Sequence, residues 1–91
     1  MEPAEIHQIE GFDARNRMFN RNIFIYKKER NYSARLTYED LFFETPQVPT
    51  SAEAISDLIQ SIKQQSFSQL RTRLNFKGQR YLTEQEPWIA F

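Results

Sequence analysis

The chain has no cysteine, one histidine (His7) and two glycines (Gly11 and Gly78) among its 91 residues. Without cysteine there is no disulfide to staple the fold, and no thiol for catalysis or metal binding. A lone histidine, with no serine, cysteine or second histidine near it in sequence, assembles neither a nucleophile–base pair nor a ligand set. Neither glycine opens a phosphate loop. Gly11 stands in Glu-Gly-Phe-Asp, with no second glycine and no Lys-Ser/Thr after it. No segment approaches the ~20 apolar residues of a membrane span. Met1-Glu-Pro-Ala-Glu5 is not followed by the apolar run of a signal peptide. These absences move weight from catalysis to binding. They predict a cytoplasmic protein that is not an enzyme and has no cofactor, no metal and no membrane partner.

What is present is aromatic. Eight Phe, four Tyr and one Trp must supply much of the core in so short a chain. Apolar residues make up 40% and charged residues 26%, the balance of a folded domain rather than a disordered segment. The length fits a single domain over 1–91, with 1–20 as an N-terminal arm and 87–91 as an apolar tail.

Net charge is zero, but the signs come in blocks. Residues 1–13 carry four acids and no Lys or Arg, and 14–38 carry seven bases against Glu29. Residues 39–62 carry five acids and no base, and 63–83 five bases and no acid. Either neighbouring blocks neutralise one another, or the two basic blocks converge on an anionic partner. The zero balance favours the first.

Periodicity places the elements. Residues 22–28 are β-branched and aromatic and read as a strand. Glu29-Arg30-Asn31 is a polar turn in which Asn31 tolerates positive φ. Tyr32, Ala34, Leu36 and Tyr38 alternate with Ser33, Arg35 and Thr37 as a half-buried strand. Leu41–Glu44 is a third strand, ended by Pro46 and Pro49. Thr50-Ser-Ala-Glu53 has capping-box spacing, and Ile55, Leu58, Ile59 and Ile62 form one helical face. Leu70, Thr72, Leu74 and Phe76 alternate with Arg71, Arg73 and Asn75. Lys77-Gly78 is a turn, and 80–84 returns as a hairpin partner that sets Arg71 opposite Glu84, a pairing stabilising by up to ~1 kcal/mol. The fold class predicted is α+β: a two-layer antiparallel sheet of about five strands, order β-β-β-α-β-β, packed against one main amphipathic helix.

Tyr32-Ser-Ala-Arg-Leu36, Phe43-Glu-Thr-Pro46 and Thr50-Ser-Ala-Glu-Ala54 together loosely resemble the strand–strand–helix order of HicB-type antitoxins, which in turn resemble double-stranded-RNA-binding folds. The glycine-containing loop of that family is missing between the proline and the helix, and the connection is shorter.

Two functional readings follow. Phe24 and Tyr26 alternate with Ile23 and Ile25, so this strand is apolar on both faces. A sheet with one helix covers only one of them, which leaves the other for a partner protein or a second copy. Trp88 and Phe91 either complete the core or join that surface. This reading makes the chain a non-catalytic protein-interaction or regulatory module, as a homodimer or with another protein, using Phe24, Tyr26, Trp88 and Phe91. The alternative is a nucleic-acid-binding hairpin in which Arg71, Arg73, Lys77 and Arg80 track phosphates and Tyr81 stacks on bases. The acids Glu39, Asp40 and Glu44 lack calcium-loop spacing and read as ordinary turn residues.

Overall fold

A computed structural model of the chain describes residues 2–91. It consists of six antiparallel strands in one sheet and one helix: β1 (Glu5–Phe12), β2 (Met18–Lys28), β3 (Asn31–Tyr38), β4 (Leu41–Glu44), α1 (Ser51–Lys63), β5 (Ser68–Lys77) and β6 (Ile89–Ala90). The strand order is β4-β3-β2-β1-β5-β6. The α+β class and single helix therefore match the sequence reading, with one strand more than expected.

That strand is β1. Residues 5–12 are not an arm; they form a central strand between β2 and β5. The periodicity is masked because Gln8 and Glu10 alternate with Ile9 and Gly11 on a strand covered on one side only. Their polarity is met by cross-strand partners more than sixty positions away: Arg73 donates to Gln8, and Arg71 to Glu10.

The register sorts side chains onto two sides. Ile9, Ile23, Ile25, Ala34, Leu36 and Tyr38 face α1 and are buried. Onto them α1 lays Ala54, Ile55, Leu58, Ile59 and Ile62. Thr50 caps the helix, its extended backbone letting Oγ1 accept the Glu53 N–H at 3.1 Å. At the far end Phe67 stacks edge-on against Phe19, Tyr38 and Phe43, with centroids 5.4, 5.3 and 6.3 Å away. Phe67 sits in a Gln/Ser-rich stretch and gave no periodic signal.

The hairpin turns are tight. Lys28 pairs with Asn31, so Asn31 opens β3 and Glu29 takes the positive φ of 58° instead. Glu39 does the same between β3 and β4 at 54°. The loop between β1 and β2 is held by Asp13, which is 4% exposed. One oxygen accepts the N–H groups of Arg15 and Arg17, both at 2.9 Å. The other accepts Arg17 Nε at 2.9 Å and the Tyr38 hydroxyl at 2.7 Å. Arg17 also reaches Glu39 at 2.7 Å, clasping the two loops together. Burial pushes the Asp13 carboxyl up, but the hydrogen bonds from Tyr38, Arg17 and Arg15 outweigh it and hold it well below the usual range.

The C-terminal hairpin departs from expectation. Gly78 and Gln79 both take positive φ, 66° and 63°, in a two-residue turn. Beyond it only the bridge Phe76–Tyr81 forms, with the Leu82 N–H donating to the Asn75 carbonyl, and residues 83–88 leave the sheet. The edge of β5 is taken instead by β6, which sets Ala90 opposite Arg71. Glu84 therefore does not face Arg71, whose carboxylate partner is Glu10 on β1. The residues read as an apolar tail supply the sixth strand. No helix among the described residues is long and apolar enough to cross a membrane.

Candidate interaction surfaces

The side of the sheet away from α1 has no second layer among the described residues. Register gives it a crosswise order. Glu44, Arg35, Phe24, Ile6, Phe76 and Tyr81 are successive partners along one row that runs across β4, β3, β2, β1 and β5 to Tyr81, bridged to β5 beyond the turn. Four of these six are apolar or aromatic. Ile6 is 6% exposed beneath its neighbours, Phe24 and Phe76 are half-buried, and Tyr81 is 61% exposed. Phe76 and Tyr81 stack edge-on at 5.0 Å. Tyr26 lies beyond Phe24 on the same side, with the Arg35 guanidinium 4.5 Å from its ring centre. A groove of about 550 Å3 runs between this row and the Glu2–Ala4 segment.

Away from the row the open side turns polar. Asn22, Gln8 and Arg73 align in the next row, and Asn20, Glu10 and Arg71 in the one after. The expectation that β2 is apolar on both sides thus holds at Phe24 and Tyr26 and fails at Asn20 and Asn22. Trp88 lies over the polar rows. The guanidinium carbons of Arg71 and Arg73 stand 4.8 and 4.3 Å from its ring centre. Arg73 also donates to Gln8 at 2.7 Å and to Gln85 at 3.2 Å.

The four residues proposed for protein contact are not one patch. Phe24, Tyr26 and Trp88 share the open side, in different rows. Phe91 falls on the helix side: its N–H bonds to the Leu70 carbonyl and its ring lines a cavity beside α1. The five residues proposed for nucleic acid also divide. Arg71, Arg73 and Tyr81 lie on the open side, whereas Lys77 pairs with the helix-side Glu5 and bonds to Arg80 across the turn. Acids from one charge block meet bases from another at Arg71–Glu10, Arg35–Glu44 and Arg17–Glu39.

The fold also assembles a group that sequence reading missed. Glu5 and His7, two apart on β1, share the helix side, and Glu5 Oε1 lies 2.7 Å from His7 Nε2. The hydrogen bond from His7 holds the Glu5 carboxyl below its usual range against the opposing effect of burial, helped by the charge of Lys77. The i, i+2 spacing of an acid and a histidine was the available signal; it needed β1 to be recognised as a strand. Among the described residues, no three His, Cys, Asp or Glu side chains are grouped to hold a metal ion. No protein-family model, curated protein or solved structure matches the chain.

Proposed function

We propose that this chain is a non-catalytic protein-interaction module that works as a homodimer, burying the open side of its sheet against a second copy. The observation that carries this reading is the row Phe24–Ile6–Phe76–Tyr81, apolar across three strands and the bridged Tyr81, with no layer over it among the described residues. Large apolar rows on a sheet are ordinarily covered. In the proposed dimer the aromatic row forms the desolvated centre, and Arg35–Glu44 and Arg71–Glu10 lie towards its rim. There they fix orientation more than they add affinity. Tyr81 in the row, with Tyr26, Trp88 and the arginines around it, are of the types enriched in binding hot spots.

The arginines argue against the nucleic-acid alternative. Arg71 is engaged by Glu10 and Trp88, and Arg73 by Gln8, Gln85 and Trp88. Those contacts compete with phosphate for the same guanidinium groups. Sedimentation equilibrium tests the proposal. The wild-type chain is expected to dimerise reversibly, and Phe24→Lys to shift it to monomer with an unchanged far-UV spectrum. A chain that stays monomeric at high concentration, or a Phe24→Lys variant that dimerises equally well, overturns it.

A further inference from the structure

On the opposite side of the sheet, between the first turns of α1 and β6, lies a cavity of about 270 Å3, open to solvent on one side. Its apolar wall includes Ile55, Ile89 and Phe91, and its polar wall His7, Ser51 and Thr72. Thr72 is 2% exposed, whereas Ile89 and Phe91 are 59% and 39% exposed although β6 is hydrogen-bonded in place. Two large apolar side chains therefore stand at the mouth of a partly polar cavity.

The Glu5–His7 pair gives this cavity a direction. Arg71–Glu10 and Arg35–Glu44 join neighbouring strands, but Glu5 and His7 belong to one strand, so their bond ties no strand to another. Its effect falls on the imidazole. With Glu5 ionised, the neutral ring carries its proton on Nε2, and Nδ1 is left as an acceptor on a residue that lines the cavity. The charges around it select the ligand. The Glu5 carboxylate behind His7 disfavours a second anion. A cation finds that carboxylate already bonded to His7, with the Lys77 charge acting on it.

We propose that this cavity binds a small neutral amphiphile, an aryl or branched-alkyl group bearing a hydroxyl. The apolar body packs against Ile55, Ile89 and Phe91, and the hydroxyl donates to His7. The volume lies just below the range of drug-sized sites, so the body is of single-ring size. This site is independent of the open-side interface, and either can fail without the other.

The test is an NMR titration of the labelled full chain with p-cresol, and with toluene, benzoate and benzylamine as probes lacking the hydroxyl or carrying charge. Saturable shifts at His7, Ile55 and Ile89 are expected with p-cresol. Toluene should bind about tenfold more weakly, the loss of one buried hydrogen bond. His7→Phe should remove the preference for p-cresol over toluene. Because that change leaves Glu5 without its partner, Phe91→Ala at the exposed rim serves as a second variant and should weaken both probes alike. Absence of saturable shifts at these residues overturns the proposal, as does toluene, benzoate or benzylamine binding as tightly as p-cresol.

Discussion

Replacing Gly11 by alanine tests the packing of the central strands at the point where they come closest. Gly11 lies on β1 opposite the irregular start of β5, where Gln69 takes a φ of 52° and the register shifts. A Cβ on Gly11 would stand 2.8 Å from the Ser68 carbonyl oxygen, 3.0 Å from that of Gln69 and 2.8 Å from Leu70 Cδ2. Ordinary C···O contacts begin at about 3.3 Å. Leu70 can turn aside only into a full core, and the two oxygens are backbone, so β5 must move off β1 by about half an ångström. Overpacking of this kind costs about 1–3 kcal/mol. The upper half of that range is expected here, because the strands are central and the clashing atoms cannot rotate away. In a domain of this size that lowers Tm by roughly 10–20 °C. Urea unfolding followed by circular dichroism reads the loss directly, and the slope should not change. Gly78→Ala is the control. Nothing lies within 4 Å of its Cβ, and only its φ of 66° resists a side chain, for about 1 kcal/mol. A loss at Gly11 below about 0.5 kcal/mol, or one smaller than at Gly78, would refute the close-approach argument.

Three further outcomes are expected. The folded-state pKa values of Asp13 and Glu5 lie below their ordinary 3.8 and 4.5, so their contribution is complete above those values and is lost as pH falls through the folded ones. Urea midpoints should accordingly drop on acidification below about pH 5, and Asp13→Asn should flatten that drop; equal pH profiles would contradict it. Trp88→Ala removes two cation–π contacts, each contributing about 0.5–1 kcal/mol at an exposed site, and should raise amide exchange at Ile89–Phe91 while β1–β4 stay protected. Uniform protection in the variant would show that β6 does not depend on Trp88. A labelled random oligonucleotide, single- or double-stranded, should bind weakly or not at all at moderate salt. Tight binding that falls steeply with salt and is reduced by Arg71→Ala and Arg73→Ala would instead favour the nucleic-acid reading.

What was legible in the sequence is local. The cap at Thr50 and the stripe Ile55, Leu58, Ile59, Ile62 specify α1 within one segment, and Tyr32–Tyr38 specifies β3 by alternation alone. What was hidden depends on distant partners. β1 looks polar and broken until β5 supplies Arg71 and Arg73 to its Glu10 and Gln8, sixty-one and sixty-five positions away. Residues 80–84 have the composition of a strand, but β6 occupies the edge of β5 that they would need. The candidate surfaces follow the same division. Alternation at Phe24 and Tyr26 marked the open side, whereas the row through Ile6, Phe76 and Tyr81 exists only in the register of three strands. Trp88 and Phe91, three residues apart, fall on opposite sides because β6 lies between them. The Glu5–His7 pair required β1 itself.

The central claim is that the open side is the dimer interface, and the most direct measurement is an isotope-filtered NOE experiment on a mixture of labelled and unlabelled chains. The account predicts intermolecular contacts among Phe24, Ile6, Phe76 and Tyr81. Their absence in a sample shown to be dimeric, with contacts instead from Leu41 and Phe42 on the edge strand β4 or from Ile89 and Phe91, would contradict it.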